Sequence, residues 1–336
     1  MDASKHLLGD LLRQVSRSFY TTLRILPAKI RDQIGLAYLL ARTSDTIADT
    51  GLVSPELRLQ ALRSFRDRIA GRTRENLQFG ELASHQSSDA ERSLLQQIEA
   101  SLGLLEQLSP ADLKLVREVL EIIISGQELD LRLFGAASAN NLVALRTDSE
   151  LDDYTWRVAG CVGEFWTKMC LGHLFPRTRL DEHFLLKNGV RFGKGLQLTN
   201  ILRDIPADLR NGRCYVPQDR LAAVNLKSND LLQPSSEGRF RPLYFSLIDM
   251  AERHLRAGWA YTTALPWSSI RVRLACAWPI MIGFETLKLL RLGNILDAGH
   301  RIKVPRSTVT TIMWQTVLWY PFPRAWRKLA PSGPDS

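Results

Sequence analysis

Apolar residues recur at three- and four-residue intervals along nearly the whole chain, and no run shows the sustained alternation of a half-buried strand. The pattern predicts an all-α protein. Helix breaks are expected at residues 51–55, 84–89, 109–110, 135–141 and 227–238, where Gly, Pro and small polar residues interrupt the periodicity. Pro55 and Pro110 read as first-turn prolines, because each follows a serine able to cap a helix start. No break has the length or bias of an interdomain linker, and there is no internal repeat, so one all-α domain is expected. The most apolar stretch, 274–290, contains Pro279, Glu285 and Lys288 and reads as a buried helix, not a membrane span.

Two polar stripes stand out. Tyr38, Arg42, Asp45 and Asp49 fall on one face of a helix at about 100° per residue. Asp45 and Asp49 are i,i+4 neighbours whose like charges repel, and Arg42 compensates only part of that charge. Gln197, Asn200, Asp204 and Asp208 form the second stripe, flanked by an apolar arc of Leu198, Ile201, Leu202, Ile205 and Leu209. It therefore runs along the edge of the core, where a cavity wall would be. Paired carboxylates with neutral oxygen donors suit Mg²⁺, which commonly bridges protein carboxylates to substrate phosphates. Diphosphate is the natural third party, and no phosphate-binding glycine loop offers another route to it. A single Asp-x-x-x-Asp is usually a solvated face; two of them, each with an arginine in phase, are harder to dismiss.

Composition changes the picture little. The 336 residues are 45% hydrophobic and 24% charged, which fits a globular protein. The net charge of +9 favours anionic partners: nucleic acid, acidic lipid or phosphorylated small molecules. No nucleic-acid-binding motif is present, so no nucleic acid partner is expected. The four cysteines lack CxxC or zinc spacing, the six histidines lack metal-site spacing, and the first residues lack an apolar signal core. A cytoplasmic location is expected.

After Asp297 no acidic residue occurs until Asp335, while Arg301, Lys303, Arg306, Arg324, Arg327 and Lys328 interleave with Trp314, Trp319, Tyr320, Phe322 and Trp326. Two readings stay open for this tail: rings and cations at a membrane interface, or a terminal helix docked on the core.

Five motifs in order resemble the squalene and phytoene synthases, which join prenyl diphosphates head to head. They are Ser16, Arg17, Ser18 and Phe19; the Tyr38 to Asp49 stripe; Tyr154, Val158, Ala159, Gly160 and Gly163; Gln197, Asn200, Arg203, Asp204 and Asp208; and Gly212, Arg213, Tyr215 and Pro217. The likeness runs from residue 16 to about residue 306. It implies an isoprenoid-synthase helical bundle with a central substrate cavity, a catalytic domain over 1–306 and a basic-aromatic tail over 307–336. By that resemblance, Asp45, Asp49, Asn200, Asp204 and Asp208 hold Mg²⁺. Ser16, Arg17, Ser18, Phe19, Tyr38, Arg42, Gln197, Asn200, Arg203, Arg213 and Tyr215 bind or shield the diphosphates. Tyr154, Val158, Ala159 and Gly163 lie along the prenyl chains, and Tyr154 is a candidate proton acceptor or cation stabiliser.

The region from Cys276 to Pro279 and on to Arg306 resembles squalene synthases in particular, where basic residues help to hold NADPH. Arg301 and Lys303, with Arg42 and Arg203, are the corresponding candidates; the other reading is that Arg301 and Lys303 merely belong to the basic tail. The implied activity is Mg²⁺-dependent condensation of two farnesyl diphosphates through presqualene diphosphate, with NADPH reduction to squalene, by a monomer. The alternatives are a phytoene or dehydrosqualene synthase, and a non-catalytic membrane-associated assembly factor. The tail is expected to supply peripheral membrane attachment where eukaryotic members carry a spanning anchor. Two departures stand out: Ala48 replaces a Glu common in squalene synthases, and Pro206 interrupts the second stripe, where it removes one helix bond at a cost of about 3 kcal/mol unless a kink absorbs it.

Overall fold

Ser54 and Ser109 cap helices as the sequence predicts. In the computed structural model, which describes residues 6–16, 19–176, 178–297, 299 and 301–331, each serine hydroxyl accepts a backbone N–H of the first turn. Ser54 takes that of Leu57 at 3.4 Å and Ser109 that of Asp112 at 3.2 Å, with Pro55 and Pro110 at the first helical position. Among the described residues the chain is helical except for loops and one short strand pair. It forms two compact units: Met1–Gly135 with Phe165–Thr178, and Ala136–Glu164 with Arg179–Ser336. The division is discontinuous in sequence, which explains why no linker marks it.

The first unit is built on α1 (Ala28–Asp49), α2 (Pro55–Ala70) and α3 (Pro110–Phe134), with α1 and α2 both packed on α3. α1 buries Ile30, Ile34, Leu36, Leu39, Leu40 and Ile47. It also buries Thr43, Ser44 and Thr46, whose hydroxyls donate to the helix's own carbonyls of Leu39, Ala41 and Arg42 at 3.0, 2.7 and 2.9 Å. These polar groups therefore enter the core without an unmet hydrogen bond. The charged stripe is left on the remaining face.

The second unit contains α4 (Asp148–Thr155), a π-helical turn over Trp156–Gly160, α5 (Glu182–Arg210), α6 (Glu237–Ala264), α7 (Ile270–Leu292) and α8 (Arg306–Leu318). α5 packs against the π turn, α6 and α7. Backbone approaches backbone along the first of these seams. A methyl group at Gly163 would lie 1.9 Å from the Gly189 carbonyl oxygen, and one at Gly193 would lie 2.1 Å from that of Ala159. Among the described residues no helix is long and apolar enough to cross a membrane, α7 included.

Pro206 leaves α5 continuous from Glu182 to Arg210. Its ring removes the N–H that would reach the carbonyl of Leu202. The buried Tyr244 hydroxyl, from α6, donates to that carbonyl at 3.1 Å instead. The lost bond is thus replaced across the helix pair.

α5 runs into a left-handed turn at Gly212 (φ 78°), where a β-carbon would come within 2.3 Å of the Ser138 nitrogen. Only glycine fits there. The turn starts β2 (Arg213–Cys214), which pairs in parallel with β1 (Val143–Ala144) in the register Val143 to Arg213 and Ala144 to Cys214. A two-residue pair is too short to leave a period in the sequence.

The tail is part of the second unit. Trp326 is fully buried, stacked on Trp259 at 4.7 Å.

Candidate active site

α1 delivers the first carboxylate pair. The Arg42 guanidinium lies 3.8 Å from Asp45 and is also paired with Glu91, from the helix Asp89–Gln96. Gln127 of α3 donates its side-chain amide to Asp45, an approach set by the packing of α1 on α3. Burial pushes the Asp45 carboxyl up to about 7; the neighbouring Asp49 adds to this, Arg42 and Gln127 work against it, and Asp130 of α3 adds a little more. Burial would lower Arg42, but Asp45 and Glu91 outweigh it and raise its proton affinity. Asp49 is exposed. Tyr38 stacks on Phe19 with ring centroids 5.0 Å apart. Ser16 is buried, its hydroxyl donating to the Leu12 carbonyl at 2.5 Å, while Arg17 and Ser18 lie outside the described residues. Ala48 is buried, and its carbonyl accepts from Arg58 Nη1 at 2.7 Å.

α5 delivers the second pair. Gln197, Arg203, Asp204 and Asp208 are half-buried, and Asn200 is exposed. Asp204 accepts from Arg203 Nη2 at 2.5 Å and from Arg301 Nη2 at 2.8 Å. Burial works to raise this carboxyl, but the two arginines outweigh it and hold it below its ordinary value. Arg203, Arg210 and Arg301 line one small cleft with Asp204, Asn294 and Asp297. Lys303 is exposed close by in sequence.

The strand pair presents Tyr215 beside Tyr154 of α4. Their rings stack at 4.8 Å and the hydroxyls are 3.3 Å apart. Both are buried, and Arg213 is half-buried. Val158 and Ala159 sit half-buried in the π turn, and Gly163 follows one turn later. Such turns occur mostly as single insertions at functional sites.

Comparison with known proteins shows the family. The family model described as squalene/phytoene synthase matches residues 12–308. The chain belongs to the squalene/phytoene synthase family. Its relatives include the bifunctional lycopene cyclase/phytoene synthase of Phaeosphaeria nodorum, 26% identical over 95% of this chain and 49% of that protein. The squalene synthase of Saccharomyces cerevisiae is 27% identical over 89% of this chain and 64% of its own length. The chain thus spans about half to two thirds of these relatives. Among solved structures, TcSQS in complex with the ligand BPH1237 superposes with a TM-score of 0.76 at 20% identity, covering 100% of this chain and 94% of that one. A dehydrosqualene synthase in complex with a ligand gives 0.67 at 19% identity, covering 95% and 96%. These likenesses show the all-α fold of squalene/phytoene synthases.

For a squalene/phytoene synthase, the donor chemistry fits a divalent cation at the first pair. Asp45 and Asp49, one helical turn apart, offer adjacent carboxylate oxygens of the kind a divalent cation takes. Asp204 differs: two guanidiniums already compensate it. The three arginines of the cleft suit phosphate oxygens. Sequence reasoning missed Glu91, Gln127 and Asp130, which set the charge around Arg42 and Asp45. Among the many polar positions of α3, nothing in the sequence set Gln127 and Asp130 apart.

Proposed function

We propose that this member of the squalene/phytoene synthase family is a squalene synthase acting on two farnesyl diphosphates. The supporting observation is the doubled Asp-x-x-x-Asp stripe, with Asp45 one turn from Asp49 on α1 and with Asp204 on α5 held by Arg203 and Arg301. Mg²⁺, held by Asp45 and Asp49 and by Asn200, Asp204 and Asp208, would neutralise diphosphate oxygens and ease their departure. Arg42, Arg203 and Arg213 bind diphosphate oxygens, and Tyr38, Gln197 and Tyr215 shield them. The first substrate loses diphosphate, the double bond of the second attacks the allylic cation, and loss of a proton closes the cyclopropane of presqualene diphosphate. That intermediate then loses the second diphosphate and rearranges to the cation that a hydride quenches. The buried rings of Tyr154 and Tyr215, with Val158 and Ala159, exclude water from the developing cation. Tyr154 offers either its ring face or its hydroxyl oxygen to that charge. NADPH, with its phosphates on Arg301 and Lys303, would supply the hydride that completes squalene. The protein works as a monomer in the cytoplasm.

The second reading is a phytoene or dehydrosqualene synthase, which omits the reduction. Identity to phytoene synthases is equally high, as with the enzyme of Arthrospira platensis at 28% over 74% of this chain and 72% of its own length. Product analysis decides. Purified protein is incubated with farnesyl or geranylgeranyl diphosphate and Mg²⁺, with and without NADPH, and extracted lipids are resolved by gas chromatography and mass spectrometry. Squalene appearing only with NADPH is the expected result. Dehydrosqualene in both conditions, or phytoene from the longer substrate, replaces it with the second reading. No condensation by folded protein would point to a non-catalytic relative.

A further inference from the structure

The tail's aromatic residues divide into two sets. One set faces inward, with the Trp326 indole N–H and the Tyr320 hydroxyl hydrogen-bonded. Trp326 Nε1 donates to the Thr316 carbonyl at 2.9 Å, Trp278 Nε1 to the Thr316 hydroxyl at 3.0 Å, and Trp259 Nε1 to the Arg327 carbonyl at 3.0 Å. The Tyr320 hydroxyl donates to the Trp267 carbonyl at 2.5 Å. The buried Arg273 guanidinium lies between the faces of Trp267 and Trp326, at 4.5 and 4.6 Å. This clamp fixes the tail, and with it the direction of everything else the tail carries.

The other set faces out. On α8, Ile312 and Thr316 are buried, whereas Trp314, Val317 and Leu318 occupy the opposite face, related as i, i+3 and i+4. Trp319 and Phe322 continue this surface, their rings packed edge to face at 6.0 Å. Trp314, Leu318 and Phe322 are 62%, 64% and 58% exposed. Three of these side chains share the outer face of α8 and two more follow it in the chain, unlike the scattered exposed apolar residues of an ordinary surface. Exposed Arg324, Arg327 and Lys328 follow directly, Arg306 opens the helix, and the sequence holds no acidic residue between Asp297 and Asp335.

We infer that Trp314, Val317, Leu318, Trp319 and Phe322 form a foot that inserts into the headgroup layer of an anionic lipid bilayer, with Arg324, Arg327 and Lys328 on its acidic headgroups. Indole rings favour that depth, where one edge is apolar and the other wet. Cations beside them find a partner in anionic lipid that a second copy of this positively charged surface would not supply. The helix is too short and its inner face too well packed for insertion deeper than the interface. The inference does not depend on which prenyl product the chain makes.

The test is co-sedimentation with vesicles of phosphatidylcholine alone and of phosphatidylcholine with phosphatidylglycerol, using the full chain. The wild type is expected to bind the acidic vesicles at least tenfold better than the neutral ones, and high salt should weaken that preference. The variant W314S/L318S/F322S should lose binding at least tenfold while keeping the wild-type melting temperature, since these side chains touch solvent. Reversal of charge at Arg324 and Lys328 to Glu should abolish the preference for acidic lipid and leave the fold unchanged. Lipids brominated near the headgroup should quench tryptophan fluorescence in the wild type and far less in W314F/W319F. Vesicle binding that survives W314S/L318S/F322S overturns the inference. So does a wild type that ignores vesicles but self-associates in sedimentation velocity, with the triple variant monomeric; the face would then be an interface between copies.

Discussion

Asp45 concentrates the residue-scale argument. Its proton affinity rises from an ordinary 3.8 to about 7 in the folded chain. The protonated form therefore favours folding, and that contribution is complete below about pH 4. It disappears as pH climbs from the unfolded value toward 7, so metal-free protein should lose stability across that interval. The loss is on the order of 1–2 kcal/mol, reduced by solvent screening because the side chain is 37% exposed. Asp45→Asn should flatten this slope in thermal melts taken between pH 4 and 8, and should lower condensation activity by about 10²- to 10³-fold. Mg²⁺ should raise the melting temperature of the wild type more at pH 8 than at pH 5; equal increments would argue against a cation at this pair. Both aspartates were legible in the sequence because i,i+4 spacing on a helix fixes their proximity. Gln127 and Glu91 were not, since their approach depends on which helices meet.

At the scale of elements, a proline and a tyrosine 38 residues apart act as one unit. Tyr244→Phe removes the donor to the carbonyl that Pro206 strands and should cost about 1–2 kcal/mol. Pro206→Ala restores the helix's own N–H, so Tyr244→Phe should cost clearly less in that background. Urea denaturation of the four proteins measures the coupling, and strict additivity would contradict it. Helix starts at Pro55 and Pro110 were readable because capping is local chemistry. The π turn over Trp156–Gly160 was not, because its register is set by the close approach of α5, with Gly163 against Gly189 and Ala159 against Gly193. The sequence showed small residues and left room for prenyl chains or tight packing; the structure shows the packing directly.

The whole molecule shows what periodicity cannot foresee. Residues 165–178 join the first unit while their flanks belong to the second, and a helical pattern without linkers carries no sign of such a division. The tail was ambiguous for a related reason: a ring that docks and a ring that protrudes have the same composition. Trp326→Ala should cost about 3–5 kcal/mol by emptying the clamp around Arg273, whereas Trp319→Ala should change stability by under about 0.5 kcal/mol. Guanidine denaturation separates the two.

If Arg301 takes a dinucleotide phosphate as proposed, its grip on Asp204 couples that ligand to a cation at Asp204. The N–H groups that Arg301 turns to Asp204, on Nε and Nη2, are ones a phosphate would compete for. Arrival of a dinucleotide phosphate at Arg301 and liberation of Asp204 would then be one exchange, and a cation drawn to Asp204 would free the arginine in turn. Each ligand should tighten the other by the same factor. Titrating Mg²⁺ by calorimetry with and without NADPH checks this: the half-saturating Mg²⁺ concentration should fall with NADPH, and Arg301→Gln should erase the difference. The same carboxylate would thereby serve as a latch as well as a ligand, closed until both reactants' partners have come.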